Sequence, residues 1–195
     1  MTRLYLSSYR LGHRADRLRW TGPGAGRALV VMNALDVYHS DRLLSWDREA
    51  DDLASLGYGA AELDLRDPGN LIDRLASADL LWVVGGNAFV LARAMATAEF
   101  RRAFTSIPDD ERPTYAGYSA GACVAGPDLA GIDLIDDPGP SSSVETLEFI
   151  TERIVPHWRS EHPEAPAAEL VVAELTRREL AHLTLRDGDD HLVGW

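Results

Sequence analysis

The sequence contains one cysteine, Cys123, and no apolar run that approaches the ~20 residues needed to span a bilayer. A single cysteine cannot form an internal disulfide, so we expect a reducing compartment. Residues 1–10 also lack the long apolar core and the small-residue cleavage site of a secretory signal. These absences predict a cytoplasmic protein that does not act at a membrane.

Positive charge is scarce, because 31 acidic residues stand against 19 basic ones and the net charge is −12. A surface of this sign repels phosphate backbones, so we do not expect a nucleic acid partner. The sequence also lacks a metal-ligand motif such as H-E-x-x-H, and we expect neither a metal nor a cofactor.

Apolar residues make up 46% of the 195 residues, which is enough for one domain to bury a core. Strands are predicted at residues 3–9, 27–34, 60–65, 79–84, 113–117 and 153–156, with two short ones near Leu183 and Leu192. Helices are predicted at residues 40–56, 70–77, 89–104 and 166–180, and another begins at Ala120. Such alternation is typical of a mostly parallel sheet with helices on both faces. We therefore predict a single α/β domain over residues 1–195, a flavodoxin-like three-layer sandwich.

The segment from Gly117 to Gly121 has the pattern G-x-S-x-G, with Ser119 at its centre. A predicted strand precedes it and a helix start with small residues follows it, as in a nucleophile elbow. The sharp turn of an elbow requires glycine on both sides of the serine, and the following helix directs its N–H groups at the oxyanion. Cys123 is the rival nucleophile, but it lies one helical turn later, where side chains face the sheet. We predict Ser119 as the nucleophile.

A second oxyanion donor is expected from Gly85-Gly86-Asn87, which follows the strand at residues 79–84. Open α/β sheets build their sites at the carboxyl ends of such strands, and a glycine there exposes its N–H group. A plain turn with Asn87 capping the next helix explains the same residues.

The general base is sought among six histidines. His157 directly follows the strand at residues 153–156, downstream of the elbow, as is usual for a triad histidine. The acid is sought between Ser119 and His157, where Asp133 lies in an apolar setting and Asp136-Asp137 begins a turn. We favour Asp133 and leave Asp136 and Asp137 open.

Three motifs together resemble the peptidase E (aspartyl dipeptidase) and cyanophycinase family of serine peptidases, which is related to class I glutamine amidotransferases. They are Gly85-Gly86-Asn87-Ala88-Phe89, Gly117-Tyr118-Ser119-Ala120-Gly121-Ala122 and Pro156-His157-Trp158. Their order and spacing also fit, and the similarity covers most of the chain.

The resemblance implies Ser119 as nucleophile, His157 as base, and the N–H groups of Gly86 and Ala120 as the oxyanion hole. It implies a class I glutamine amidotransferase-like fold, a small peptide as substrate and an acidic triad member at residues 133–137. Asn87 and Arg159 are the candidate substrate-binding residues, with Arg159 available for an acidic group.

The sequence departs from the family in two respects, which leave its substrate open. Ala88 stands where the family has Thr, and the chain ends at Trp195, before the further C-terminal strands of relatives. We therefore keep two alternatives: an esterase or amidase that uses the same residues, and a non-catalytic binding module that retains the elbow. A homodimer is expected to cover an apolar sheet edge.

Overall fold

A six-stranded sheet forms the centre of the molecule, in a computed structural model that describes residues 2–195 apart from the side chains of residues 39–41 and 43. Its strands are β1 (Leu4–Ser7), β2 (Gly26–Val31), β3 (Tyr58–Glu62), β4 (Leu80–Val83), β5 (Thr114–Tyr118) and β8 (Asp190–Val193). They lie in the order β3-β2-β4-β5-β1-β8, and only β8 runs antiparallel to its neighbour. Two further strands, β6 (Arg153–Val155) and β7 (His182–Thr184), form a separate parallel pair.

The helices are α1 (His39–Ser55), α2 (Leu71–Ala76), α3 (Ala88–Thr97), α4 (Phe100–Ser106), α5 (Ala120–Cys123) and α6 (Ala165–Arg177). Short 3-10 helices lie at Ala15–Leu18, Asn33–Leu35 and Ile132–Leu134. No helix within residues 2–195 is long and apolar enough to cross a membrane.

Strand alternation divides the apolar core into two layers, one on each face of the sheet. Leu29 and Leu81 belong to the layer that includes α3, α4 and α6, whereas Val30 and Trp82 belong to the layer that includes α1. Because both faces are covered, the central strands β2 and β4 are mostly apolar, whereas the edge strand β3 is largely exposed. The predicted α/β fold, with a mostly parallel sheet and helices on both faces, is confirmed.

One local prediction was wrong in detail. Residues 89–104 form two helices, because Glu99 adopts a left-handed conformation (φ 51°) that cannot continue α3 into α4. The predicted strands near Leu183 and Leu192 are present, and they enter different sheets: β7 pairs with β6 and β8 pairs with β1. Because β6 and β7 run parallel, the turns that follow them lie side by side.

Candidate active site

Ser119 lies at the sharp turn between β5 and α5, with φ 48° and ψ −115°. This left-handed backbone is strained for a residue with a side chain, and it is held because the Ser119 N–H donates to the carbonyls of Ser7 and Ser8, each at 3.1 Å. A Cβ at Gly117 would lie 2.5 Å from the Gly121 carbonyl oxygen, and one at Gly121 would lie 2.3 Å from that of Val83. Both flanking positions therefore require glycine.

His157 follows β6, and its imidazole is buried directly beside Ser119. Its Nε2 lies 3.3 Å from Ser119 Oγ. Its backbone has φ 60°, and its N–H donates to Ser8 Oγ at 2.7 Å, which holds the residue at the carboxyl end of β1. The structure thus brings together the predicted nucleophile and base.

Asp187, in the turn after β7, contacts the other side of the imidazole. Its Oδ1 lies 2.7 Å from His157 Nδ1 and accepts a second hydrogen bond, of 2.8 Å, from Ser8 Oγ. Its backbone N–H donates to Ser160 Oγ at 2.8 Å. The carboxylate therefore fixes the tautomer in which Nδ1 carries the proton and Nε2 faces Ser119.

Asp133, the predicted acid, does not reach His157. It lies exposed on the 3-10 helix Ile132–Leu134, whereas the β6–β7 pairing carries Asp187 to the imidazole. The sequence analysis missed Asp187 because the triad acid was expected between Ser119 and His157. A carboxylate in the turn that follows a short strand was the available signal.

The alternatives Asp136 and Asp137 contact the start of α3 and not His157. Asp136 is buried, and its Oδ2 accepts a hydrogen bond of 2.8 Å from the Ala88 N–H at the start of α3. Burial raises the pKa of Asp136 to about 6, against the effect of the Ala88 hydrogen bond, and Glu164 adds to the rise. Asp137 is exposed, and its backbone oxygen accepts from Asn87.

Two backbone N–H groups lie beside Ser119. Gly86 has φ 135°, and a Cβ there would lie 2.6 Å from the Ala34 carbonyl oxygen, so only glycine fits this loop. Ala120 is the first residue of α5, where N–H groups have no acceptor within the helix. Gly86 and Ser119 line the same cavity.

The two predicted substrate-binding side chains are engaged within the protein. Asn87 is buried, accepts from the Val90 N–H and donates to Asp137, so it serves as the cap of α3. Arg159 is exposed, pairs with Glu169 at 3.0 Å and lies over the Trp158 ring, outside the cavity.

The cavity at Ser119 has a volume of about 220 Å³. Tyrosine rings form much of its wall, and three charged side chains line it: Arg48, Asp136 and Glu164. Arg48 is its only arginine or lysine among the residues whose side chains the structure describes. Sequence analysis missed Arg48, since nothing distinguishes it from other charged residues of helix 40–56.

A buried carboxylate anchors Arg48. Glu49 is fully buried and accepts hydrogen bonds from Arg48 at 2.9 Å, from the Tyr118 hydroxyl at 2.9 Å and from the Trp82 indole at 2.8 Å. Three donors compensate for the desolvation of this carboxylate. Burial raises the pKa of Tyr118, and the neighbouring Glu49 raises it further, so the phenol remains a donor.

Electrostatics distinguish the possible nucleophiles and bases. Burial lowers the pKa of His157, although its hydrogen bond to Asp187 opposes the shift, so the imidazole is neutral and available as a base at neutral pH. Burial raises the pKa of the Cys123 thiol, whose Sγ donates to the Ile154 carbonyl. Cys123 is therefore a core residue with no thiolate character.

Within the described part of the chain, one group of side chains offers three converging metal ligands. His157, His162 and Glu164 each contribute one ligand atom, and these atoms lie within 4.8 Å of one another.

The chain is similar to known proteins in sequence and in fold. A sequence model of peptidase family S51 matches residues 45–189. A Listeria monocytogenes EGD-e protein assigned to peptidase E superimposes with a TM-score of 0.80 at 19% identity, over 99% of this chain and 94% of that one. A peptidase from an acI-B1 actinobacterium superimposes with a TM-score of 0.62 at 18% identity, over 100% of this chain and 88% of that one. These two likenesses show the fold, and the search among curated proteins found no match.

Proposed function

The chain belongs to peptidase family S51 and is a serine peptidase, and from this premise we propose that it hydrolyses short peptides with the triad Ser119, His157 and Asp187. The observation that carries the proposal is the continuous contact from Asp187 Oδ1 to His157 Nδ1 at 2.7 Å and from His157 Nε2 to Ser119 Oγ at 3.3 Å. Nucleophile, base and orienting acid are the three roles that acyl transfer requires.

In the proposed reaction, His157 Nε2 takes the Ser119 hydroxyl proton as Oγ attacks the scissile carbonyl. The N–H groups of Gly86 and Ala120 stabilise the oxyanion of the tetrahedral intermediate. His157 then protonates the leaving amine, and water attacks the acyl-enzyme with His157 again as base. Asp187 stabilises the imidazolium in both steps.

The cavity favours a small substrate with charges of both signs. Its volume of about 220 Å³ lies below the range of ~300–1,000 Å³ common for ligand pockets, which supports short peptides. Asp136 and Glu164 suit a free α-amino group, and Arg48 suits a side-chain carboxylate. We propose a dipeptide with an N-terminal aspartate as the substrate, with Arg48 in the role that sequence analysis gave to Arg159.

The test compares Asp-Leu, Asn-Leu and Leu-Leu as substrates of the wild type and of Ser119→Ala, Arg48→Gln, Arg48→Lys and Arg159→Gln. We expect cleavage of Asp-Leu, loss of cleavage in Ser119→Ala, and loss of the preference for Asp-Leu over Asn-Leu in Arg48→Gln. Arg48→Lys keeps the charge and should keep part of the preference, and Arg159→Gln is the matched surface control.

Two results would overturn parts of the proposal. An unchanged rate in Ser119→Ala refutes the nucleophile. An unchanged preference in Arg48→Gln, in protein with wild-type thermal stability, refutes the role of Arg48 and leaves the triad standing.

A further inference from the structure

His162 packs face to face with His157 at the mouth of the cavity. The ring centroids are 3.7 Å apart and the planes differ by 10°. Glu164 Oε2 lies 3.7 Å from His157 Nε2 and 4.0 Å from His162 Nδ1. The triad mechanism does not use His162, and binding of a substrate amino group by Glu164 does not explain why both side chains lie against His157.

The distances are close to those of a tetrahedral zinc site. With bonds of about 2.0–2.1 Å, the ligand atoms of such a site lie roughly 3.3 Å apart. The two measured separations exceed this by less than 1 Å. The side chains of His162 and Glu164 are 22% and 42% exposed, so they have room to move, while His157 is held in place by the fold. Because an imidazole binds a metal in its own plane, the His162 ring must turn out of its stack with His157 to reach an ion at His157 Nε2.

The hydrogen bonds around the two imidazoles leave lone pairs on the nitrogens that face Glu164. His157 Nδ1 donates to Asp187, which leaves Nε2 unprotonated and directed at the cluster. A carboxylate behind a histidine is the usual support of a zinc ligand, because it orients the ring and raises its basicity. His162 Nδ1 accepts the Glu164 N–H at a long 3.2 Å, so this nitrogen is unprotonated too, and it exchanges that hydrogen bond for the ion when the ring turns.

We propose that His157 Nε2, His162 Nδ1 and a Glu164 carboxylate oxygen form a binding site for a divalent cation of the zinc class, and that occupation of the site switches the peptidase off. Two imidazoles and one carboxylate suit zinc, whereas magnesium and calcium prefer oxygen ligands alone. A bound ion occupies the lone pair of His157 Nε2 that must accept the Ser119 proton. The inhibition rests on the proposed function, but the binding site does not.

Binding is tested without any reaction, by calorimetric titration of ZnCl₂ into Ser119→Ala protein. We expect one zinc ion to bind per chain. Adding His162→Ala or Glu164→Gln should raise the Kd for zinc more than about tenfold, because removal of even an outer-shell partner of a metal site typically costs that much affinity. His182→Ala is the matched control, because His182 is another half-buried histidine and its Nδ1 contacts the Leu180 carbonyl oxygen. Cobalt should give the d–d absorption of tetrahedral coordination, and magnesium should not bind.

Inhibition is tested separately with the active wild type and a dipeptide that it cleaves. Zinc should inhibit hydrolysis of the dipeptide, and EDTA should restore the rate. In His162→Ala, the inhibition constant for zinc, measured against that variant's own metal-free rate, should rise by the same factor as its Kd for zinc. Equal zinc affinity with and without His162 overturns the site. Tight binding that leaves hydrolysis unaffected overturns the switch, and absence of any peptide hydrolysis overturns the proposed function alone.

Discussion

Ser8 offers the sharpest test of how the site is held together, because one buried hydroxyl contacts two members of the triad. Its Oγ accepts from the His157 N–H at 2.7 Å and donates to Asp187 Oδ1 at 2.8 Å, and its carbonyl accepts from the Ser119 N–H. Ser8→Ala removes the two hydroxyl contacts and keeps the carbonyl contact. The substitution therefore perturbs the base and acid without changing the nucleophile's anchor.

The size of the effect follows from these two bonds. Leaving a buried N–H without a partner costs about 1–3 kcal/mol, and a hydrogen bond to a charged group contributes about 1.5–3 kcal/mol. Asp187 is 26% exposed, so water replaces part of the second loss. We expect the free energy of unfolding to fall by about 2 kcal/mol and kcat to fall about tenfold, which corresponds to 1.4 kcal/mol of barrier. KM should not change, since Ser8 does not line the cavity.

The assay is steady-state hydrolysis of a cleaved dipeptide together with urea unfolding. Ser7→Ala is the matched control, because Ser7 is also fully buried and its Oγ donates to the Arg10 carbonyl at 2.6 Å, away from the triad. Ser7→Ala should lower stability without lowering kcat. If both variants lose kcat equally, or if Ser8→Ala retains the wild-type kcat, the positioning role of Ser8 is refuted.

Three further predictions concern acidic and thiol groups. Asp187→Asn should lower kcat by roughly 10⁴-fold, as replacement of the triad acid does elsewhere, whereas Asp133→Asn should leave kcat unchanged; similar rates would contradict the assignment of the acid. The pKa of Asp136 is raised from 3.8 to about 6, so its contribution to stability is fully present below pH 4 and is lost as pH rises through 6. The free energy of unfolding of Asp136→Asn, relative to that of the wild type, should therefore be higher at pH 8 than at pH 4 by up to about 3 kcal/mol. A difference between the two proteins in urea unfolding that does not change with pH would contradict this prediction. Cys123 should react with iodoacetamide only after unfolding, and rapid labelling of the native protein would show an accessible thiol.

Local sequence patterns predicted the features that depend on neighbouring residues. Alternating apolar strands and amphipathic helices predicted the layered α/β fold, and the glycines around Ser119 predicted a sharp turn because no side chain fits there. The approach of His157 to Ser119 was predicted from its place directly after a strand downstream of the elbow, although that strand belongs to the separate pair and not to the central sheet.

Features that depend on tertiary pairing were not predictable in the same way. Asp187 follows Ser119 by 68 positions and reaches His157 only because β7 lies beside β6. Arg48 enters the cavity through its contact with Glu49, which in turn is held by Trp82 and Tyr118 from the sheet. The sequence places a carboxylate after a short strand and an arginine on a helix, but it carries no signal for the pairings that bring them to the site.

The parallel pair β6–β7 lies outside the central sheet, so the catalytic residues are divided between two sheets of one core. His157 and Asp187 both follow strands of the small pair, whereas Ser119 and Gly86 belong to loops of the large sheet. Ser8, at the carboxyl end of β1, holds both base and acid to the central sheet, so the distance from base to nucleophile depends on how the pair packs against that sheet. Ile154, Val155 and Leu185 lie in the same apolar core as the central sheet, so heating should unfold the pair and the sheet together, and activity should be lost in that one transition.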